Sequence, residues 1–407
     1  MIFMKKQWLQ LAFFNLFLVA FIGVVLRYKI AFSLPWIDQK HLLHGHSHFA
    51  FTGWVTHLLF VLLVAELANA KGNQVYKEYS YLINANLLSA YGMLFSFPIQ
   101  GYGPISIGFS TLSILISYVF ARKYWKDLNN HSLGIASILA FKFSLLANII
   151  SSLGTFALAW MMATKNLHQN WYLASVYFFL HFQYNGWFFF AIMGLLFGKV
   201  ENLEGLALPL KKIVLLFGLT CIPAYFLSAL WLPIPIWAYC IVVIAALVQV
   251  WALVLVLKTI LQFKDLMKPI FANGSIWLFQ LAGLAFIIKT LLQLGSTIPS
   301  LSQLAFGFRP IVIGYLHLVL LGFVSIFLIA FTWSQHFLQT HLPLSKAIGI
   351  FVFGIIINET LLMIQGIAAL NYWSIPMIDM ALLIAAIILF TGIAYINLCV
   401  RRSSIRE

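Results

Sequence analysis

A chain of 407 residues with 63% hydrophobic and only 8% charged side chains excludes a water-soluble domain, in which about a quarter of the residues carry charge. Its length holds about a dozen helices of roughly 20 residues each and leaves no room for a large extramembrane domain. The net charge of +14, from 24 Lys and Arg against 10 Asp and Glu, would suggest nucleic acid in a soluble chain; here it is a matter of membrane orientation, and no nucleic-acid partner is expected.

Apolar runs bounded by Gly, Pro, Asn or charge clusters predict an all-α polytopic fold with twelve transmembrane helices, near 8–28, 46–68, 80–98, 104–121, 139–162, 171–198, 211–230, 235–258, 273–294, 309–333, 346–369 and 375–399. The first run is long enough to span and has no small-residue cleavage site, so it reads as a retained helix. Cys221, Cys240 and Cys399 form no CxxC pair and read as packing residues. With the N-terminus inside, seventeen of the 24 cations, from Lys5 and Lys6 to Arg401, Arg402 and Arg406, fall on the inner side. Five fall outside (Arg27, Lys29, Lys40, Lys165 and Arg309), which places both termini in the cytoplasm of a cell with a bacterial-type inner membrane. One transmembrane domain is expected over 1–407, with lipid as its main partner.

Within it a repeat recurs. The second span contains His48-Phe-Ala-Phe-Thr-Gly53-Trp54, the sixth His181-Phe-Gln-Tyr-Asn-Gly186-Trp187, and the tenth His317-Leu-Val-Leu-Leu-Gly322-Phe323. The histidines are 133 and 136 residues apart, each in the second helix of a group of four. Trp8 and Trp277 open the first and ninth spans 269 residues apart, the same interval as His48 to His317, and Pro104, Pro235 and Pro376 start the fourth, eighth and twelfth. These marks predict three pseudo-symmetric four-helix units, roughly 1–135, 136–270 and 271–407. All three motif helices run inward from the outer side, so their histidines belong in the outer half of the bilayer.

An imidazole in hydrocarbon is costly unless hydrogen-bonded or bound to metal, which makes these histidines functional candidates. Singly, each is equally a helix-packing residue bonded to Tyr, Asn or Ser. Together, histidines on separate helices suit a haem, whose iron takes one neutral imidazole from each side and whose ring needs an apolar slot. Gly53 and Gly322, five residues on, would leave room for the macrocycle or simply for a neighbouring helix. His41, His44, His46 and His48 form a denser cluster in which His44 and His48 share a face and His46 points elsewhere. That cluster could supply a haem ligand with a second metal or proton path, or be an exposed interfacial run. His57 reads as structural, and His131, His168, His336 and His341 receive no role. Arg309 is a candidate for a haem propionate or a solvated anchor. Lys289 could pair with Glu359 or meet a propionate, and Lys142 can snorkel.

Twelve spans in three groups of four, with histidines in the second, sixth and tenth helices, resemble the haem-copper oxidase subunit I superfamily. By that resemblance His46 or His48 with His317 would hold a low-spin haem b, and His181 would match the first copper ligand. The departures are specific: the seventh span has no histidine, Tyr315 stands at the high-spin haem position, and His181 is followed by Phe-Gln-Tyr-Asn, without the oxidases' Pro-Glu-Val-Tyr. A conventional oxygen-reducing, proton-pumping centre is therefore not expected. In motif the chain is similar to NnrS-type nitric-oxide-response membrane proteins, through His46-Ser-His48 to Trp54 and His317 to Gly322, with Phe49 and Ala50 where that family has Glu-Met.

The resemblance implies a haem-binding membrane protein in electron transfer or in binding, sensing or reducing a small gas such as nitric oxide, with an external electron donor and a possible second metal such as copper. No CxxCH is present, so any c-type donor would be a separate chain. The alternatives are a twelve-span transporter, whose six-plus-six construction would set matching motifs about 200 residues apart, and a structural or assembly protein without cofactor.

Overall fold

The computed structural model describes residues 2–129, 133–335 and 343–402, and within these the side chains of all but 2–4, 70 and 304–307. His131, His336, His341 and Arg406 lie outside the described residues. Among the described residues every regular element is helical. The long helices are α1 (Ile2–Ala31), α2 (39–71), α3 (Gln74–Gln100), α4 (Pro104–Leu128), α5 (Ile135–Ala163), α6 (169–200), α7 (Ala207–Cys221), α8 (Ile236–Met267), α9 (Ile276–Gly295), α10 (309–334), α11 (Leu344–Leu370) and α12 (Ile378–Arg401). A short helix, Pro299–Gly307, precedes α10.

Among the described residues ten helices are long and apolar enough to cross a membrane, and this is the architecture of a multi-pass helical membrane protein. The predicted sixth and seventh spans are helical, as α6 and α7, but stand outside that group. In α6 the run His181, Gln183, Tyr184 and Asn185 interrupts the apolar sequence. Helix α7 has 15 residues, which at a rise of about 1.5 Å per residue cover roughly 22 Å of a layer about 30 Å thick. Pro223, which has no N–H to continue the ladder, follows it, and the chain turns into a 3-10 segment, Pro223–Ser228.

Exposure follows the membrane solution. Helix α8 presents Ile241, Ile244, Leu247, Trp251 and Val254 outward at helical spacing, and α11 presents Phe353, Ile356, Met363 and Ile367. Such stripes face hydrocarbon without penalty. Helix α2 is the interior helix of its neighbourhood: 89% of its apolar stretch is buried, against 22% for α4.

The chain packs into two compact units, 1–123 with 328–407, and 124–327. In the first, α11 and α12 cross at two glycines: a Cβ on Gly392 would stand 2.5 Å from the Phe351 nitrogen, and one on Gly354 2.8 Å from that of Leu389. Backbones this close gain dispersion contacts where no hydrophobic effect acts between helices. Phe390 of α12 meets Phe17 of α1 at 5.0 Å, and Phe13 meets Trp54 of α2 at 5.7 Å. In the second unit, Gly154 of α5 lies against the α6 backbone, where a Cβ would come within 2.5 Å of the Ser175 carbonyl oxygen. The buried Glu201, just past α6, caps α5: its carboxylate accepts from the N–H groups of Ala136 at 2.7 Å and Ser137 at 3.0 Å. Those are among the first-turn donors that a helix cannot satisfy internally, at the end where its dipole favours negative charge.

Two substitutions test this packing in thermal melts of the detergent-solubilised protein. Glu201→Ala leaves two buried N–H groups without partners and lowers stability by about 1–3 kcal/mol. Gly392→Leu forces α11 and α12 apart and lowers the midpoint further, while Leu→Ala changes on the lipid-facing stripe of α8 leave it nearly unchanged.

Candidate functional site

The three repeated motifs share a local structure that their spacing alone does not announce. Directly after His181 and His317, and two residues after His48, the backbone leaves the α form and winds as a π-helix: Ala50–Thr56, Phe182–Phe188 and Leu318–Ser325. Among the described residues no other segment is π-helical. A π-turn carries an extra residue, weakens the regular ladder and leaves carbonyls in need of donors, and it occurs preferentially at functional positions.

Each segment receives such a donor from a side chain. In the first, Asn15 of α1 donates to the Gly53 carbonyl at 2.6 Å and Asn86 of α3 to the Thr52 carbonyl at 3.1 Å. The Tyr91 hydroxyl donates to Asn15 Oδ1 at 2.6 Å and holds that amide in place. In the second, Cys221 Sγ approaches the Asn185 carbonyl at 3.9 Å. In the third, Ser325 donates to the Leu320 carbonyl at 2.7 Å. Asn15, Asn86 and Cys221 escaped the sequence reading as site residues. Two of them, asparagines within apolar runs, are the polar exceptions that mark such positions.

His44 and His48 face the end of α3: His48 stacks on Phe97 at 4.3 Å with Nε2 3.3 Å from the Tyr102 hydroxyl, and His44 meets Tyr102 edge-on at 4.7 Å. His44 Nε2 is buried without a hydrogen-bond partner. His46 turns to α1, where a Cβ on Gly23 would lie 3.6 Å from its Cε1. His41 borders Gly101, whose positive φ of 56° and whose contact with the imidazole both exclude a side chain. His57, deep in α2, bonds the Trp8 carbonyl at 3.2 Å.

His181 is fully buried and both its ring nitrogens are occupied: Nε2 bonds the Cys221 carbonyl at 2.8 Å, and the Asn185 amide donates to Nδ1 at 3.1 Å. A metal at His181 would have to displace one of these bonds. His317 is held differently, with Nδ1 donating to the Ile313 carbonyl at 2.8 Å, which makes Nε2 its lone-pair nitrogen. That second bond is the usual device for orienting a ligating imidazole.

The glycines differ in role. A Cβ on Gly186 would meet that of Ala147 at 2.4 Å, so this one brings α5 and α6 together. On Gly53 it would strike the Phe49 ring at 2.6 Å, and on Gly322 it would make only ordinary contact with Ala285 at 3.4 Å. Arg309 is exposed at the first residue of α10. Lys142 lies over the Trp125 ring at 5.1 Å. Lys289 is buried beside the stacked rings of Phe189 and Phe286, 5.8 and 5.5 Å from their centroids. Glu359 accepts from Asn358 at 3.1 Å and lies in the field of Arg27, which also feels Asp379. Among the described residues no three His, Cys, Asp or Glu side chains converge on a common metal position. No protein-family model matches this chain, and no curated protein does.

At the mouth of α2, Asp38 accepts from the His41 N–H at 2.8 Å, and this bond holds its carboxyl below the usual range. The cap is thus intact above the ordinary carboxylate value and is lost as pH falls through the lowered one. Hydrogen exchange at residues 39–42, normalised for intrinsic rate, accelerates below about pH 4; in Asp38→Asn, whose neutral amide oxygen still accepts, it does not. Asn15→Leu strands the Gly53 carbonyl and the Tyr91 hydroxyl and costs about 1–3 kcal/mol in thermal melts. Much less than the sum follows when Tyr91→Phe is added, because the two belong to one network.

Proposed function

We propose that this chain is a haem-binding integral membrane protein, a divergent relative of haem-copper oxidase subunit I. Its work on this reading is electron transfer, or binding or reducing a small gas such as nitric oxide. The observation that carries the reading is the coincidence of the three motif histidines with the three π-helical segments. Histidine at the start of an irregular turn, repeated three times, is costly in lipid and is accounted for by function.

His317 would hold the iron in its neutral form, in which the Nδ1–H bond to the Ile313 carbonyl fixes the ring and Nε2 carries the lone pair. His46 and His48 of the first unit offer further imidazoles on this reading, and Arg309 offers an exposed charge for a propionate. Bound haem b would supply the one-electron chemistry; the chain's contribution is to keep each imidazole neutral and oriented and to exclude water by packed aromatic rings. His181, with both nitrogens engaged, does not fit a copper ligand as it stands, and no step is assigned to a second metal.

Transport is a second reading, favoured by Arg27 and Glu359, ionisable groups within membrane helices of the first unit, since such groups mark ion paths. One set of measurements separates the two. Protein expressed with haem supply carries a Soret band and a b-type pyridine haemochrome; His317→Ala loses the band and His181→Ala keeps it. A colourless wild type, or a spectrum indifferent to His317→Ala, defeats the haem reading, and substrate counterflow by colourless protein supports transport.

A further inference from the structure

The interior of the second unit contains a formal charge that the motif does not use. Lys289 lies on α9 and is only 6% exposed. Its ammonium rests against the faces of Phe189 and Phe286, and among the described residues neither a carboxylate nor a hydrogen-bond acceptor reaches it. Ring faces offset only part of the cost of burying such a charge. No acid of this unit is placed to help: Asp127, Glu201, Glu204 and Asp265 all sit at helix ends or in connections.

Two buried amide oxygens near it also lack partners. Gln293 Oε1 is one turn along the same face of α9, and Asn185 Oδ1 belongs to the residue whose amide nitrogen is committed to His181. Their residues are 6% and 8% exposed. The neighbourhood is common to all of them: Lys289 is in electrostatic range of both Cys221 and His181, Cys221 Sγ approaches the Asn185 carbonyl, and Phe189 lies one turn beyond Asn185. Unsatisfied buried groups are rare enough that each requires an explanation.

We propose that Lys289 anchors a binding site for a small monovalent anion, of the halide or nitrate class, held with water inside the second unit. The ammonium donates to the anion, and bridging waters donate one O–H to it and the other to the amide oxygen of Gln293 or Asn185. A single fixed charge selects a single negative charge, because His181 is neutral and adds none. Sulfate, with two charges to balance, is excluded. The site does not depend on haem.

Thermal unfolding of the purified full-length chain, titrated with sodium nitrate or chloride at constant ionic strength and compared with sodium sulfate, provides the test. Nitrate and chloride raise the wild-type midpoint by several degrees in a saturable way, as any ligand selective for the folded state does, and sulfate does not. Lys289→Met abolishes the response, and Gln293→Leu raises the half-saturating concentration several-fold. An equal response in Lys289→Met, an equal response to sulfate, or none in the wild type overturns the proposal. If Lys289→Met fails to fold, Gln293→Leu decides, and an unchanged half-saturation overturns it. The titration is run on protein grown with and without haem supply. Persistence in both supports a free-anion site, and loss in the haem-loaded sample overturns it, because the anion would then be a haem propionate.

Discussion

Every backbone N–H and C=O that enters hydrocarbon must find its partner inside the protein, and this requirement organises the whole molecule. It makes each membrane segment a helix. It also makes any interruption of a helix expensive, and each of the three π-turns is accompanied by a side-chain donor. The three π-turns are such interruptions, and the side chains of Asn15, Asn86, Cys221 and Ser325 attend them.

The two compact units meet the same requirement with different chemistry. In the first, amide side chains from neighbouring helices reach into α2, and a tyrosine fixes one of them. In the second, the imidazole of His181 is itself part of the satisfaction scheme, tied at both nitrogens, and the buried Glu201 just past α6 closes the start of α5. One motif histidine is thus tied at both ring nitrogens, and His317 is oriented by a bond to its own helix. A repeated sequence pattern has been put to unequal uses.

The helices were legible because apolar runs of about 20 residues between Gly, Pro and charge clusters admit little else in a membrane. All twelve predicted runs coincide with helices, including the two that fall short as spans. The break after α7 was legible in principle, since Pro223 lies inside the predicted run 211–230. The sequence also offered the histidine positions and the separate facing of His46 from His44 and His48, because 3.6-residue periodicity fixes side-chain direction. Hidden was what lies across the helix. The partner of His181 is a backbone carbonyl 40 residues away, and a carbonyl has no signature in composition. The π-turns were hidden as well: a single extra residue in a long apolar run changes neither its length nor its hydropathy.

That extra residue has a geometric consequence. One residue advances an α-helix by about 100°, so a π-turn acts as a phase shift: beyond it, every side chain looks in a direction different from the one the first half of the helix would dictate. In α2, α6 and α10 the halves before and after the turn therefore address different neighbours with independent patterns. The first half of each is free to vary its polar face without disturbing the packing of the second, and three copies of one motif can diverge in chemistry on a shared frame.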